Sequence, residues 1–113
     1  MFQAAPILCE CVDIVRRSGA IIRAHWSRPR RVRHKGSIDL VTETDLAVEA
    51  FLKEKLAVLL PEASFMAEES SASDQQPGPL CWIIDPVDGT TNFVHRIPQV
   101  GTSVALWQEG RVV

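Results

Sequence analysis

The 113-residue sequence predicts a single domain of layered α/β class, with helices packed on a sheet. Three observations point there. Two stretches place apolar residues at three- and four-residue steps, and several short apolar runs are bounded by Gly, Pro and polar residues. The C-terminal stretch reads as a hairpin.

From Ala4 to about Trp26, Leu8, Val12, Val15, Gly19 and Ile22 follow helical steps while Arg16, Arg17 and Arg23 stand apart. The spacing predicts an amphipathic helix buried along that stripe. It ends before Pro29, because the residue preceding a proline is biased away from helical backbone. The basic stretch that follows holds Arg28, Arg30, Arg31, Arg33, His34 and Lys35. It reads as a solvated loop or edge strand, with a phosphate-facing role as the alternative. Thr42 with Asp45 three positions on announces a second helix, since that spacing satisfies two orphan amide donors. Val48, Leu52, Leu56 and Leu59 form its expected buried stripe, and Pro61 ends it. Ser64 to Ala67 and Leu80 to Ile84 are predicted strands, with Ser70 to Pro79 as loop between them. Val100 to Trp107 and Arg111 to Val113 form the hairpin around Gln108-Glu109-Gly110, and its second strand has barely begun where the sequence stops. No internal repeat or linker divides the chain.

Composition narrows the function classes. With 46% apolar and 23% charged residues, disorder and collagen-like tracts are excluded. A net charge of −2 excludes a globally basic protein built to coat nucleic acid. Cys9, Cys11 and Cys81 lack CxxC spacing, which fits reduced thiols in a cytoplasm rather than a zinc site. Neither a secretory leader nor an uninterrupted membrane-length apolar run occurs, so secretion and membrane spanning are not expected.

Carboxylates gather at punctuation points: Asp39 and Asp45 around a helix start, Glu68 and Glu69 after one strand, Asp85 and Asp88 after another. Residues just beyond strand ends are held rigidly yet meet solvent, which suits the capture of a hard cation. Asp85-Pro86-Val87-Asp88-Gly89-Thr90 is the densest case. Pro86 fixes a backbone angle and Gly89 permits a tight turn, so the two aspartates can converge. Backbone amides with the hydroxyls of Thr90 and Thr91 offer a place for phosphate. Magnesium suits such a site, because it takes a few carboxylates, water and substrate phosphate. The bland readings stand beside these: a simple turn at Asp85 to Gly89, a helix cap at Asp45, a solvated pair at Glu68-Glu69. His25, His34 and His95 have no mutual ligand spacing and read as structural or solvent-facing. No GxSxG nucleophile motif is present.

Taken in order, three segments closely resemble the inositol monophosphatase family: Asp39-Leu40-Val41-Thr42-Glu43-Thr44-Asp45, Ala67-Glu68-Glu69-Ser70, and Trp82 through His95. The third nearly matches that family's signature throughout. The resemblance implies a layered αβαβα sugar-phosphatase sandwich, its first layers two helices on a mainly antiparallel sheet, with residues 1–113 forming the N-terminal part. It implies a metal set of Glu69, Asp85, the Val87 carbonyl, Asp88 and Thr90, holding two or three Mg2+ ions in the complete site. Glu69, Val87, Asp88, Gly89 and Thr90 would hold the substrate, and Asp45, Thr90 and Glu69 would serve catalysis. Lys35 corresponds to a lysine near the metals. Ala67 stands where relatives usually carry glycine. A later aspartate that completes the second metal site, and residues that grip the substrate ring, have no counterpart in this sequence.

The resulting expectation is Mg-dependent, lithium-sensitive hydrolysis of a phosphate monoester such as inositol monophosphate, with other sugar phosphates as candidates. A homodimer is carried over from relatives. The second class of function considered is a non-catalytic interaction module in an RNA-transcription complex, contacting nucleic acid or polymerase through the basic stretch. Converging carboxylates favour the enzyme, since they repel one another without cations.

Overall fold

The computed structural model describes residues 4–29, 32–34, 40–67 and 77–113. Helix α1 spans Ala4–His25 and closes through turns in which Trp26 and Arg28 amides donate to the Arg23 and His25 carbonyls, ahead of Pro29. Its buried face is Cys11, Ile14, Ser18 and Ile22. The predicted stripe holds at Ile22, which is buried, and at Val15, which packs against the core, but is out of phase in the first half of the helix, where Leu8 and Val12 are 62% and 42% exposed. Each residue advances a helix by about 100°, so a one-residue error in the stripe selects a different face. Ser18 concealed the true phase, because a serine reads as surface. Its hydroxyl donates to the Val15 carbonyl at 2.6 Å and so enters the core satisfied.

Strands β1 (Val32–His34) and β2 (Leu40–Thr42) pair antiparallel, with Val32 opposite Thr42. Part of the basic stretch is thus a strand, one of the two readings given to it. Arg30, Arg31, Lys35 and Asp39 lie outside the described residues. Helix α2 (Glu43–Leu59) begins at Thr42, whose extended backbone and side chain form the anticipated capping box with Asp45. Val48, Leu52 and Leu56 are fully buried and Leu59 partly so. The helix ends as expected before Pro61, at a cap where the Leu60 amide donates to the Leu56 carbonyl.

The main sheet runs β3-β4-β5-β6, from β3 (Ser64–Ala67) through β4 (Leu80–Asp88) and β5 (Gly101–Gln108) to β6 (Arg111–Val112). It is mixed: β3 and β4 are parallel, the other two pairings antiparallel. The β5–β6 turn uses Glu109 and Gly110, both at positive φ, the pattern of a tight two-residue hairpin. A short helix α3, Thr90–Val94, follows β4 directly through Gly89.

Helices α1 and α2 pack together, with α2 against β4 and α1 touching β5. Val48, Leu52, Leu56, Trp82, Ile84, Val87 and Phe93 form the centre of the core. Burial of such side chains contributes about 1.5–3 kcal/mol each.

Candidate active site

The Asp85–Asp88 segment is strand, where a turn was expected from its composition. The ladder records why it resembles one: Asp85 pairs with Ser103 and Asp88 with Gly101, so three steps on β4 match two on β5. That extra residue is a bulge. Without it, residues three apart on a strand would point to opposite faces. Ser103 and Gly101 share a face, so the bulge brings Asp85 and Asp88 to the same face as well. Core packing shows the same change of phase, with Trp82 and Ile84 buried before the bulge and Val87 after it. The bulge also accommodates Pro86, which has no N–H for the ladder of a central strand. Its carbonyl accepts the Thr102 hydroxyl at 2.8 Å.

Gly89 makes the exit from β4. Its φ of 93° is left-handed, and a Cβ there would sit 2.8 Å from the Gln99 carbonyl oxygen. The chain then enters α3, with the Phe93 amide donating back to the Gly89 carbonyl at 3.0 Å. The Asn92 side-chain amide donates to the same Gln99 carbonyl at 2.9 Å, tying α3 to the approach to β5.

This exit places Thr90 against the start of α2. Thr90 Oγ1 lies 2.8 Å from Asp45 Oδ1 and 3.0 Å from the Val87 carbonyl oxygen. Asp45 is completely buried. Its Oδ2 accepts the Thr42 amide at 2.9 Å and the Thr42 hydroxyl. The two readings of Asp45, helix cap and site residue, are thus both realised, one by each carboxylate oxygen. The hydroxyl of Thr42 donates to Asp45 while accepting the Asp45 amide at 3.3 Å.

Asp85 is half-buried. Asp88 is exposed at the strand end. The structure therefore brings together Asp45, Thr90 and the Val87 carbonyl, and places Asp85, Asp88 and Gly89 along the same few residues. Glu68 and Glu69 lie outside the described residues. The described chain ends there at Ala67, which pairs with Ile84, the residue before Asp85. Ala67 is a buried strand residue without positive φ, so the alanine meets no backbone objection where the resemblance implied glycine. Among the described residues, no three His, Cys, Asp or Glu side chains form a metal-holding group.

One feature nonetheless fits a hard cation. Adjacent ligands of an octahedral Mg2+ at about 2.0–2.1 Å are about 2.9 Å apart. The Val87 carbonyl and Thr90 hydroxyl oxygens, 3.0 Å apart, span such an edge. No sequence signal marks the Val87 carbonyl, a backbone group whose role came only from resemblance. The contact of His25 Nδ1 with Thr44 Oγ1, 2.8 Å, links residues 19 apart and was also missed, though the histidine was read as structural.

A family model described as "Inositol monophosphatase family" matches residues 3–113. Inositol monophosphatase 1 of Solanum lycopersicum is 46% identical over 99 residues, covering 84% of this chain and 36% of its own length. Among solved structures, the extragenic suppressor protein suhB of Bartonella henselae superimposes with a TM-score of 0.86 at 30% identity, covering 96% of this chain and 43% of that one. An IMPase/NADP phosphatase solved with Mg2+ and phosphate gives a TM-score of 0.74 at 27% identity, over 91% of this chain and 39% of that one. The chain thus spans well under half the length of these relatives. The matched fold is the one the resemblance implied, and the chain belongs to the inositol monophosphatase family.

Proposed function

We propose that this chain supplies the metal-binding and water-orienting half of a magnesium-dependent phosphomonoesterase acting on inositol monophosphate. The observation that carries the reading is the Asp45–Thr90–Val87 cluster beside Asp85 and Asp88. Support comes from the family match and from a relative solved with Mg2+ and phosphate.

Glu69, Asp85, the Val87 carbonyl and Thr90 would hold one cation, and Asp85 with Asp88 a second. Divalent cations, when bound, lower the pKa of an attacking water and neutralise the leaving oxygen of an in-line displacement. The residues of this chain orient that water. Thr90 donates its proton to the buried Asp45, which turns an Oγ1 lone pair outward to accept a hydrogen bond from water. Asp45 in turn is held by the Thr42 amide and hydroxyl, so the acceptor is fixed before substrate arrives. Asp88, Gly89 and Thr90 would meet the phosphate through backbone amides. Lithium inhibition, a homodimer and a cytoplasmic setting accompany this reading. The alternative of an interaction module draws no support from the relatives matched.

The test is phosphate release from inositol monophosphate by a chimera that joins this chain to the remaining portion of the tomato relative. Release that requires Mg2+ and is lost in Thr90→Ala supports the reading. A soluble, folded chimera that releases no phosphate with Mg2+ refutes it.

A further inference from the structure

Two consecutive residues at the end of α1 reach the two elements that supply Asp45 and Thr90. His25 Nδ1 lies 2.8 Å from Thr44 Oγ1. Thr44 is 2% exposed and immediately precedes Asp45 in the first turn of α2. The neighbouring Trp26 meets Phe93 edge-on, with ring centroids 5.6 Å apart. Phe93 is fully buried in α3, the helix that Thr90 begins. One end of α1 therefore fastens both sides of the Asp45–Thr90 hydrogen bond.

The need for such a fastening follows from helix construction. The first turn of a helix has amides without intrahelical acceptors, so its orientation depends on groups outside the helix. The capping box fixes Asp45 to Thr42, which lies in the same segment of chain. It does not fix that segment relative to α3. The His25–Thr44 contact ties the start of α2 to the end of α1, one residue from the Asp45 carboxylate, and Trp26 on Phe93 ties α3 to the same end. A change of a few tenths of an ångström there matters, because a hydrogen bond of 2.8 Å weakens steeply with misalignment.

We propose that His25 is a positioning residue for the Asp45–Thr90 pair: through Thr44 it sets the orientation of the first turn of α2 at which Asp45 Oδ1 receives the Thr90 hydroxyl. The importance of that pair rests on the phosphatase reading, whereas the positioning itself does not.

The test uses this 113-residue chain. The NMR shift of the Asp45 side-chain carboxyl carbon near neutral pH reports its hydrogen bonding, and Thr90→Val marks the value for a broken pair. His25→Ala moves the shift most of the way to that value. It also speeds hydrogen exchange at the Phe93 amide about tenfold, the scale of one lost hydrogen bond. His25→Asn, whose side-chain amide stands near the Nδ1 position, restores both, while His25→Gln, whose amide reaches further, does not. Ile14→Val, a conservative change elsewhere on α1, separates positioning from general loosening and leaves the Asp45 shift in place. Should His25→Ala not fold, the contrast between the Asn and Gln variants decides. The proposal is overturned if the Asp45 shift in His25→Ala stays at the wild-type value or moves no more than in Ile14→Val. It is equally overturned if the Asn and Gln variants behave alike. Phosphate release enters none of these readouts, so a failed phosphatase assay and a failed positioning test remain distinct outcomes.

Discussion

Replacing Gly89 by alanine strikes the joint on which the whole site turns. Two separate penalties apply there. The first is conformational: at φ 93° and ψ 38° an L-residue is in the left-handed region, which costs roughly 1–2 kcal/mol. The second is steric: the new Cβ would stand 2.8 Å from the Gln99 carbonyl oxygen, a backbone atom that cannot swing aside. Forcing such an overlap typically costs about 1–3 kcal/mol. Together these give a loss of about 2–5 kcal/mol, a large part of the roughly 5–15 kcal/mol available to a small domain. Gly110 is an internal control, since it has a nearly identical φ of 95° but open space around its Cβ position. Gly110→Ala should therefore show only the first penalty. Urea unfolding of the three proteins, followed by circular dichroism, separates the terms. Equal destabilisation by the two alanines would remove the steric contribution, and a change under about 0.5 kcal/mol at Gly89 would refute the reasoning altogether.

Thr90→Val removes the hydroxyl that Asp45 Oδ1 accepts and leaves that buried oxygen short of a partner, so we expect a stability loss of about 1–3 kcal/mol in urea unfolding. Thr42→Ala deletes the side chain that caps α2 and donates to Asp45, and should cost at least the usual ~1 kcal/mol of an N-cap, with hydrogen exchange quickening first at the start of α2. Burial raises the Cys11 thiol above the ordinary value of 9.0, so the folded state favours the neutral form. That contribution is fully present below pH 9.0 and is lost as pH rises towards the folded-state value, a decline that Cys11→Ala should lack. The exposed Cys9 should also react with iodoacetamide in the native protein while Cys11 and Cys81 wait for unfolding, as peptide mapping would record.

Most of the scaffold was legible because its signals are local. Pro29 and Pro61 mark where α1 and α2 stop, Thr42 with Asp45 marks where α2 starts, and Glu109-Gly110 marks the hairpin. The buried face of α1 was misjudged in its first half, where Leu8 remains outside, and at Ser18, which satisfies its hydroxyl on its own helix and enters the core. The end of β4 was misjudged because Asp, Pro and Gly are turn formers, and a bulge within a strand uses the same residues. In the site, the side chains were legible locally, whereas their meeting followed from the family resemblance and from no local pattern. Asp45 and Thr90 are 45 residues apart, and only the fold brings them to 2.8 Å. The Val87 carbonyl carries no side-chain signal at all. The His25–Thr44 contact depends on how α1 lies across α2, which no local pattern encodes.

The central claim is that Asp85, the Val87 carbonyl and Thr90 face one divalent cation. Paramagnetic Mn2+ in place of Mg2+, titrated into the isotope-labelled chain, broadens NMR signals steeply with proximity and so locates the ion. Broadening should begin at Asp85, Val87 and Thr90, extend to Asp45, and disappear in Asp85→Asn. Broadening centred on other carboxylates, or unchanged by that substitution, would contradict it.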